Sequence, residues 1–226
     1  ITDVDVYVLD VNEPPVLLPK YQYFVFENTP NGVNVGYPLQ ATDPDENEVI
    51  SYNLETAGVP FILGSASGQF AVKYVSQSPT GTGSSDLDYE TSTTKKFELD
   101  VSATDNNELK AIAKVMVNLL DTNEKPSIAV QERSIYSQSK GGSKVGKPVV
   151  FFDQDHNQNH IFEIISGNPS RYFYVDSITG QVYITQQIAA GYYRIVVRVT
   201  DDGNGRLSDE NSILIQVLQS NMRPTI

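Results

Sequence analysis

The sequence has no cysteine, no tryptophan and only two methionines, and it sets 16 Lys and Arg against 28 Asp and Glu. Each shortage excludes something. Without cysteine no disulfide can hold the fold, and zinc centres built on thiolates are ruled out. The 226 residues must therefore rely on packed cores or on metal held by other ligands. At a net charge of −12 the chain is short of the Lys and Arg that phosphates require, which argues against nucleic acid as a partner. No run of about 18 apolar residues occurs, so a membrane span, if the protein has one, is expected outside this stretch. The first residue, Ile1, follows neither an initiator Met nor a signal-peptide pattern, and that leaves the compartment undecided. No Asn-x-Ser/Thr free of proline is present, so N-linked glycans are not expected.

What the sequence does have is a repeat. Leu9-Asp10-Val11-Asn12-Glu13-Pro14-Pro15 returns as Leu120-Asp121-Thr122-Asn123-Glu124-Lys125-Pro126, 111 positions later. Three oxygen-bearing side chains within four residues, closed by proline, crowd negative charge in a way that anticipates a cation. A second acidic loop, Asp43-Pro44-Asp45-Glu46-Asn47, returns as Asp153-Gln154-Asp155-His156-Asn157, 110 positions later. Asp105 is matched by Asp201, only 96 positions on. The serine- and glycine-rich loop of residues 76–85, which the second repeat lacks, accounts for the difference.

Between these landmarks the hydrophobic period is two. Tyr21, Tyr23 and Val25 alternate with Gln22, Phe24 and Phe26. Phe97, Leu99, Val101 and Ala103 alternate with Glu98, Asp100 and Ser102, and Tyr193, Ile195, Val197 and Val199 repeat that strand. Thr2, Val4, Val6 and Val8 alternate with Asp3, Asp5 and Tyr7, which reads as a half-buried strand ending a preceding domain. About seven short strands per repeat, with turns every 8 to 12 residues or so and no helical period, predict an all-β fold of tandem Greek-key sandwiches. The blade repeat of a β-propeller, about 40 to 50 residues, does not fit. The expected division is residues 1–15 as the tail of an earlier repeat, 16–126 as one repeat and 127–226 as another.

Taken in order, these residues resemble tandem extracellular cadherin repeats, which are immunoglobulin-like β-sandwiches joined into an elongated rod. The resemblance covers the whole chain. It implies three calcium ions at each junction, held by the base of the upstream repeat, the linker and the top of the downstream repeat. At the second junction the linker motif Asp-x-Asn-Asp-Asn is matched by Asp121-Thr122-Asn123-Glu124-Lys125, with glutamate in place of the second aspartate. The upstream base is matched by Glu27 and by Asp88-Tyr89-Glu90, and the downstream top by Asp153, Asp155, Asn157 and Asp201. At the first junction Asp10, Val11, Asn12 and Glu13 stand in the linker, and Asp43, Asp45, Asn47 and Asp105 stand on the downstream side. A third junction departs from the family: Ser137 stands where Glu27 did, Ile188-Ala189-Ala190-Gly191 carries no acid, and Leu218-Gln219-Ser220-Asn221-Met222-Arg223-Pro224 keeps only the Asn and Pro. No calcium cluster is expected there.

The resemblance implies a calcium-stiffened extracellular segment acting in calcium-dependent cell adhesion, with homophilic or heterophilic protein partners. Strand-swap adhesion in that family anchors on a Trp, and this chain has none. The alternatives are a structural rod in an extracellular filament, matrix or cell wall, and a sugar-binding or carbohydrate-processing surface protein. Asp88 and Glu90 have the residue types of a glycosidase pair, but they have no pocket committed to them and no catalytic residue is assigned. Asp153-x-Asp155-x-Asn157 opens like an EF-hand loop yet lacks the glycine at the sixth position and the flanking helices. His156 and His160 are expected to be solvated loop residues, and the thirteen tyrosines to be core and cross-strand partners.

Overall fold

Strict alternation of apolar and polar side chains builds strands that are buried on one face only. In this protein such strands supply most of both cores. The computed structural model describes residues 3–73 and 87–219. It divides into two compact units, Ile1–Thr122 and Asn123–Ile226. The serine- and glycine-rich loop of residues 76–85 and the end of the third linker, residues 220–224, lie outside the described residues.

The first unit contains β1 (Val16–Leu17), β2 (Lys20–Phe26), β3 (Asn34–Val35), β4 (Ala41–Thr42), β5 (Ser51–Leu54), β6 (Phe61–Leu63), β7 (Phe70–Val72), β8 (Lys96–Thr104) and β9 (Lys110–Leu120). One sheet has the order β2-β9-β8-β5, a second the order β3-β7-β6, and β1 pairs with β4. β8 and β9 run antiparallel, whereas β2 lies parallel to β9, with Lys20 opposite Lys114 and Phe26 opposite Leu120. Tyr23 and Val25 of β2 face inward while Phe24 and Phe26 are exposed. They meet Phe70 and Val72 of β7, Phe61 of β6 and Leu99, Val101, Val115 and Val117 of β8 and β9 in one core. Phe61 packs edge-on to Phe97 with ring centroids 5.2 Å apart.

The second unit contains β10 (Gln131–Tyr136), β11 (His160–Ser166), β12 (Phe173–Val175), β13 (Val182–Ile184), β14 (Gly191–Asp201) and β15 (Ser208–Leu218). Its main sheet has the order β10-β15-β14-β11, again with the first strand parallel to the last, and β12 pairs with β13. Ile195, Val197, Val199, Ile213, Ile215 and Val217 pack against Phe173, Val182 and Ile184. The two units repeat each other in detail. Glu27 N–H donates to the Leu120 carbonyl at 2.9 Å, and Ser137 N–H donates to the Leu218 carbonyl at 2.8 Å.

Residues 3–9 join no sheet among the described residues, and Val8 is 94% exposed. A strand that ends a preceding repeat has its ladder partners in that repeat and not in these two units. One expectation fails. Ser102, expected on the polar outer face of β8, is fully buried, and its hydroxyl donates to Glu55 Oε1 at 2.6 Å.

Candidate metal centre

In the first unit the loop after β4 and the turn between β8 and β9 come together with the segment that precedes β1. Asp105, 6% exposed, directly follows β8. Its Oδ1 accepts the N–H groups of Asn107 and Leu109, both at 2.8 Å. Its Oδ2 accepts Asn12 Nδ2 at 2.8 Å. Burial alone would raise the Asp105 pKa, but these bonds outweigh it and hold the carboxyl below its ordinary value. Asn12 is fixed from its other side by Asn107 Nδ2, 2.6 Å from Asn12 Oδ1. Glu13 N–H donates to Asp45 Oδ2 at 2.8 Å, and Asp45 N–H donates to Asp43 Oδ1 at 3.0 Å. Carboxylate oxygens of Asp10, Glu13 and Asp45 all lie within 4.8 Å of one another. The Asp45 carboxylate in particular, with burial and Asp10 behind it, raises the Glu13 pKa.

The second unit builds the same arrangement. Asp201, 1% exposed, accepts Gly203 N–H at 3.1 Å and Leu207 N–H at 3.0 Å on Oδ1, and Asn123 Nδ2 at 3.3 Å on Oδ2. Glu124 N–H donates to Asp155 Oδ2 at 2.7 Å, and Asp155 N–H to Asp153 Oδ1 at 3.1 Å. Gln158 Nε2 fixes Asn123 at 2.7 Å. Asn47 and Asn157 both adopt left-handed backbone, at φ of 66° and 69°, a conformation asparagine accepts more readily than most residues. Val11 and Lys125 bring no side-chain oxygen to either arrangement; the Lys125 ammonium turns instead to Asp209 at 3.2 Å.

The two units differ at one carboxylate. In the second, His160 Nε2 lies 2.7 Å from Asp153 Oδ2, and the imidazole packs on Phe151 with centroids 4.4 Å apart. The side chain of His160 is only 11% exposed, so it is not the solvated loop residue expected, although His156 is exposed. His160 opens β11, and its counterpart 110 positions earlier is Ile50, an apolar residue beside β5 whose place predicts burial better than the neighbouring acids do. With no imidazole in the first unit, Asp43 Oδ2 is buried without a hydrogen-bond partner among the described residues. Leaving such an oxygen unmatched costs about 1–3 kcal/mol.

A third group sits elsewhere in the first unit. Glu27, 2% exposed, accepts Tyr89 N–H on Oε2 at 2.7 Å and Thr122 N–H on Oε1 at 2.8 Å. Oxygens of Glu27, Glu90 and Asp121 lie within 4.8 Å of one another. Burial pushes the Glu27 pKa up to about 7; the two N–H donors oppose the shift and Glu90 adds to it. Asp88 is outside this triplet, and its Oδ1 accepts Thr91 N–H at 2.9 Å. In the second unit Ser137, Ala189 and Gly191 stand in these places, and none offers a carboxylate.

Calcium fits this donor set. The clustered ligand atoms are carboxylate oxygens, and Asp43 Oδ2, beside them in the same loop as Asp45, is buried with no donor among the described residues. Sequence reasoning missed the N–H groups of Asn107, Leu109, Gly203 and Leu207, because a backbone donor leaves no mark in residue type.

Tandem β-sandwich modules with carboxylate-lined loops define a class of repeat proteins, and comparison with known proteins gives the family. Residues 132–218 match the cadherin domain family. Protocadherin gamma-A3 of Homo sapiens is 31% identical over 236 aligned residues, spanning 98% of this chain and 24% of its own length. Protocadherin Fat 4 of Mus musculus is 29% identical over 96% of this chain and 4% of its own length. Among solved structures, mouse cadherin-23 EC22-24 superposes with a TM-score of 0.64 at 23% identity, over 92% of this chain and 65% of that one. Protocadherin gamma C5 EC1-3 gives 0.68 at 19% identity, over 93% and 70%. At these identities the structures establish the fold alone. Residues 132–218 thus form a cadherin domain, and the chain along nearly its whole length is similar to cadherins. It spans about a quarter or less of the curated relatives named here.

Proposed function

We propose that the chain is part of a longer extracellular or cell-surface protein whose consecutive repeats, 16–126 and 127–226, are stiffened by calcium for calcium-dependent adhesion. Residues 1–15 then supply the last strand and linker of a repeat before them. On this reading the first junction draws on Asp10, Asn12, Glu13, Asp43, Asp45, Asn47 and Asp105. The second draws on Glu27, Asp88, Glu90, Asp121, Asn123, Glu124, Asp153, Asp155, Asn157 and Asp201, with main-chain carbonyls of the linkers completing the oxygens. Calcium takes six to eight oxygens at irregular geometry, more than one linker offers. A cation that gathers ligands from two repeats and their linker therefore selects one relative orientation. Without it the carboxylates repel one another and the joint swings. Adhesive partners, homophilic or heterophilic, engage through these or other repeats.

The observation that carries this reading is the recurrence of one arrangement, Asn on a buried Asp and Glu N–H on an Asp-x-Asp loop, in both units. Small-angle scattering in millimolar calcium and in chelator tests the stiffening. The expected result is a longer maximum dimension with calcium, shortened by Asp121→Ala even when calcium is present; identical profiles in all conditions defeat it. Beads coated with the full-length protein should clump only with calcium. Ordered lateral assembly without clumping would favour the filament rod instead.

A further inference from the structure

The chain contains two Asn-Gly pairs, Asn31-Gly32 and Asn204-Gly205. Both occupy the centre of a tight turn closed by a backbone bond. Val33 N–H donates to the Pro30 carbonyl at 3.3 Å, and Arg206 N–H to the Gly203 carbonyl at 3.1 Å. Both glycines have positive φ, 85° and 88°, which suits the second central position of a type II turn. The turns differ in what holds the glycine nitrogen. Gly32 N–H donates to the Val72 carbonyl at 2.8 Å, and Val72 N–H returns a bond to Val33 at 2.9 Å, so the first turn is laced to β7. Among the described residues, Gly205 N–H meets no acceptor and the carboxamide of Asn204, an exposed residue, meets no partner.

That difference matters to a reaction that needs no enzyme. The nitrogen of the glycine following an asparagine attacks the side-chain carbonyl carbon Cγ. As the new N–Cγ bond forms, the glycine nitrogen gives up its proton, the bond from Cγ to the side-chain nitrogen breaks, that nitrogen takes up a proton and leaves as ammonia, and a five-membered succinimide remains. Water then opens the ring at either carbonyl, giving aspartate or isoaspartate, with no change of oxidation state. A nitrogen whose N–H is already bonded to a strand, in a turn laced on both sides, cannot swing to Cγ without breaking that lacing. Free of such a bond, Gly205 has only the turn's own closure to overcome.

We propose that Asn204 is a site of spontaneous deamidation and isoaspartate formation in the folded protein, and that Asn31, of the same dipeptide, is protected. The consequence lies close by. Gly203 N–H and Leu207 N–H, on either side of the turn, both clasp Asp201 Oδ1. An isoaspartyl linkage inserts a carbon into the main chain between these two donors and leaves a new negative charge beside a buried carboxylate. Only the bearing of this on calcium rests on the function proposed above; the chemistry does not.

The test uses the whole chain, aged in mildly alkaline buffer with chelator, then digested and mapped by mass spectrometry, with isoaspartate scored by enzymatic methylation. Conversion at Asn204 is expected to run about tenfold ahead of Asn31, a factor equal to about 1.4 kcal/mol of barrier and so of the size of one hydrogen bond. In concentrated urea the two positions should convert at similar rates, and Asn204→Gln should abolish the signal at its position alone. Equal rates in the folded chain, or Asn31 leading, overturn the proposal. A gap that persists undiminished in urea overturns it too, since its cause would then be the flanking residues and not the fold. Hydrogen exchange at Leu207 N–H should be faster in the isoaspartyl fraction than in fresh protein; unchanged protection there refutes the loosening of the clasp. Calcium titration of the aged protein is a separate readout, and its failure would touch the calcium reading without touching the rates.

Discussion

Asp43→Asn is expected to change the sign of its effect when calcium is added. The carboxylate of Asp43 uses Oδ1 to accept Asp45 N–H at 3.0 Å, while Oδ2 is buried with no partner among the described residues. Asparagine keeps the acceptor, replaces the unmatched oxygen with an amide donor and removes one charge that acts on Glu13. In chelator the first unit should therefore be no less stable, and up to about 1 kcal/mol more stable, taking the low end for an unmatched buried group. Calcium at about 100 times its dissociation constant stabilises the wild type by about 2.7 kcal/mol. Loss of one charged ligand that weakens binding about 100-fold leaves the variant about 0.4 kcal/mol of that. The variant should then fall about 1–2 kcal/mol below wild type in calcium while matching or exceeding it in chelator. Hydrogen exchange of the core amides of β8 and β9 reads the first unit by itself. A loss of more than about 1 kcal/mol in chelator would show that Oδ2 has a structural partner after all. An undiminished gain from calcium would remove Asp43 from the ligand set.

Asp201→Ala should destabilise the second unit by about 2–4 kcal/mol with or without calcium, because it strands the N–H groups of Gly203 and Leu207; urea melts in chelator should show Asp201→Asn, which keeps an acceptor, close to wild type. Glu27 sets a pH dependence. Its folded pKa of about 7 lies above the ordinary value of 4.5, so its contribution to stability is fully present below about pH 4.5 and is lost as pH rises through about 7. After allowance for solvent screening the calcium-free first unit should lose on the order of 1–2 kcal/mol between about pH 5 and pH 8. Glu27→Gln should flatten that slope in thermal melts, and an unchanged slope would place its cause in other acids.

Much of the fold was legible because strand alternation and the spacing of acidic loops are both written in residue type. The faces of β2 followed from Tyr23 and Val25 against Phe24 and Phe26. Asp105 and Asp201 were legible as an acid closing a strand in each repeat. What stayed hidden depends on partners. Residues 3–9 carry the pattern of a strand, yet pattern supplies no second strand. Ser102 reads as an outward polar residue until Glu55 is brought over it. His160 looked like one more polar residue of an acidic loop, and only its alignment with Ile50 marks it as a strand residue under Phe151. Asp88 was legible by residue type and order, but the bond its Oδ1 accepts from Thr91 N–H was not.

The parallel pairing of first and last long strands bears on what happens when a unit is pulled. Lys20, where β2 begins, and Leu120, where β9 ends, lie at opposite ends of a ladder seven residue pairs long. Tension applied through those two points slides the strands past each other and loads the ladder bonds together, where a hairpin pulled from its open end would unzip them singly. The second unit repeats the geometry over six pairs, from Gln131–Ile213 to Tyr136–Leu218. Each sandwich is thus built to resist stretching along its strands whether or not any ion is bound.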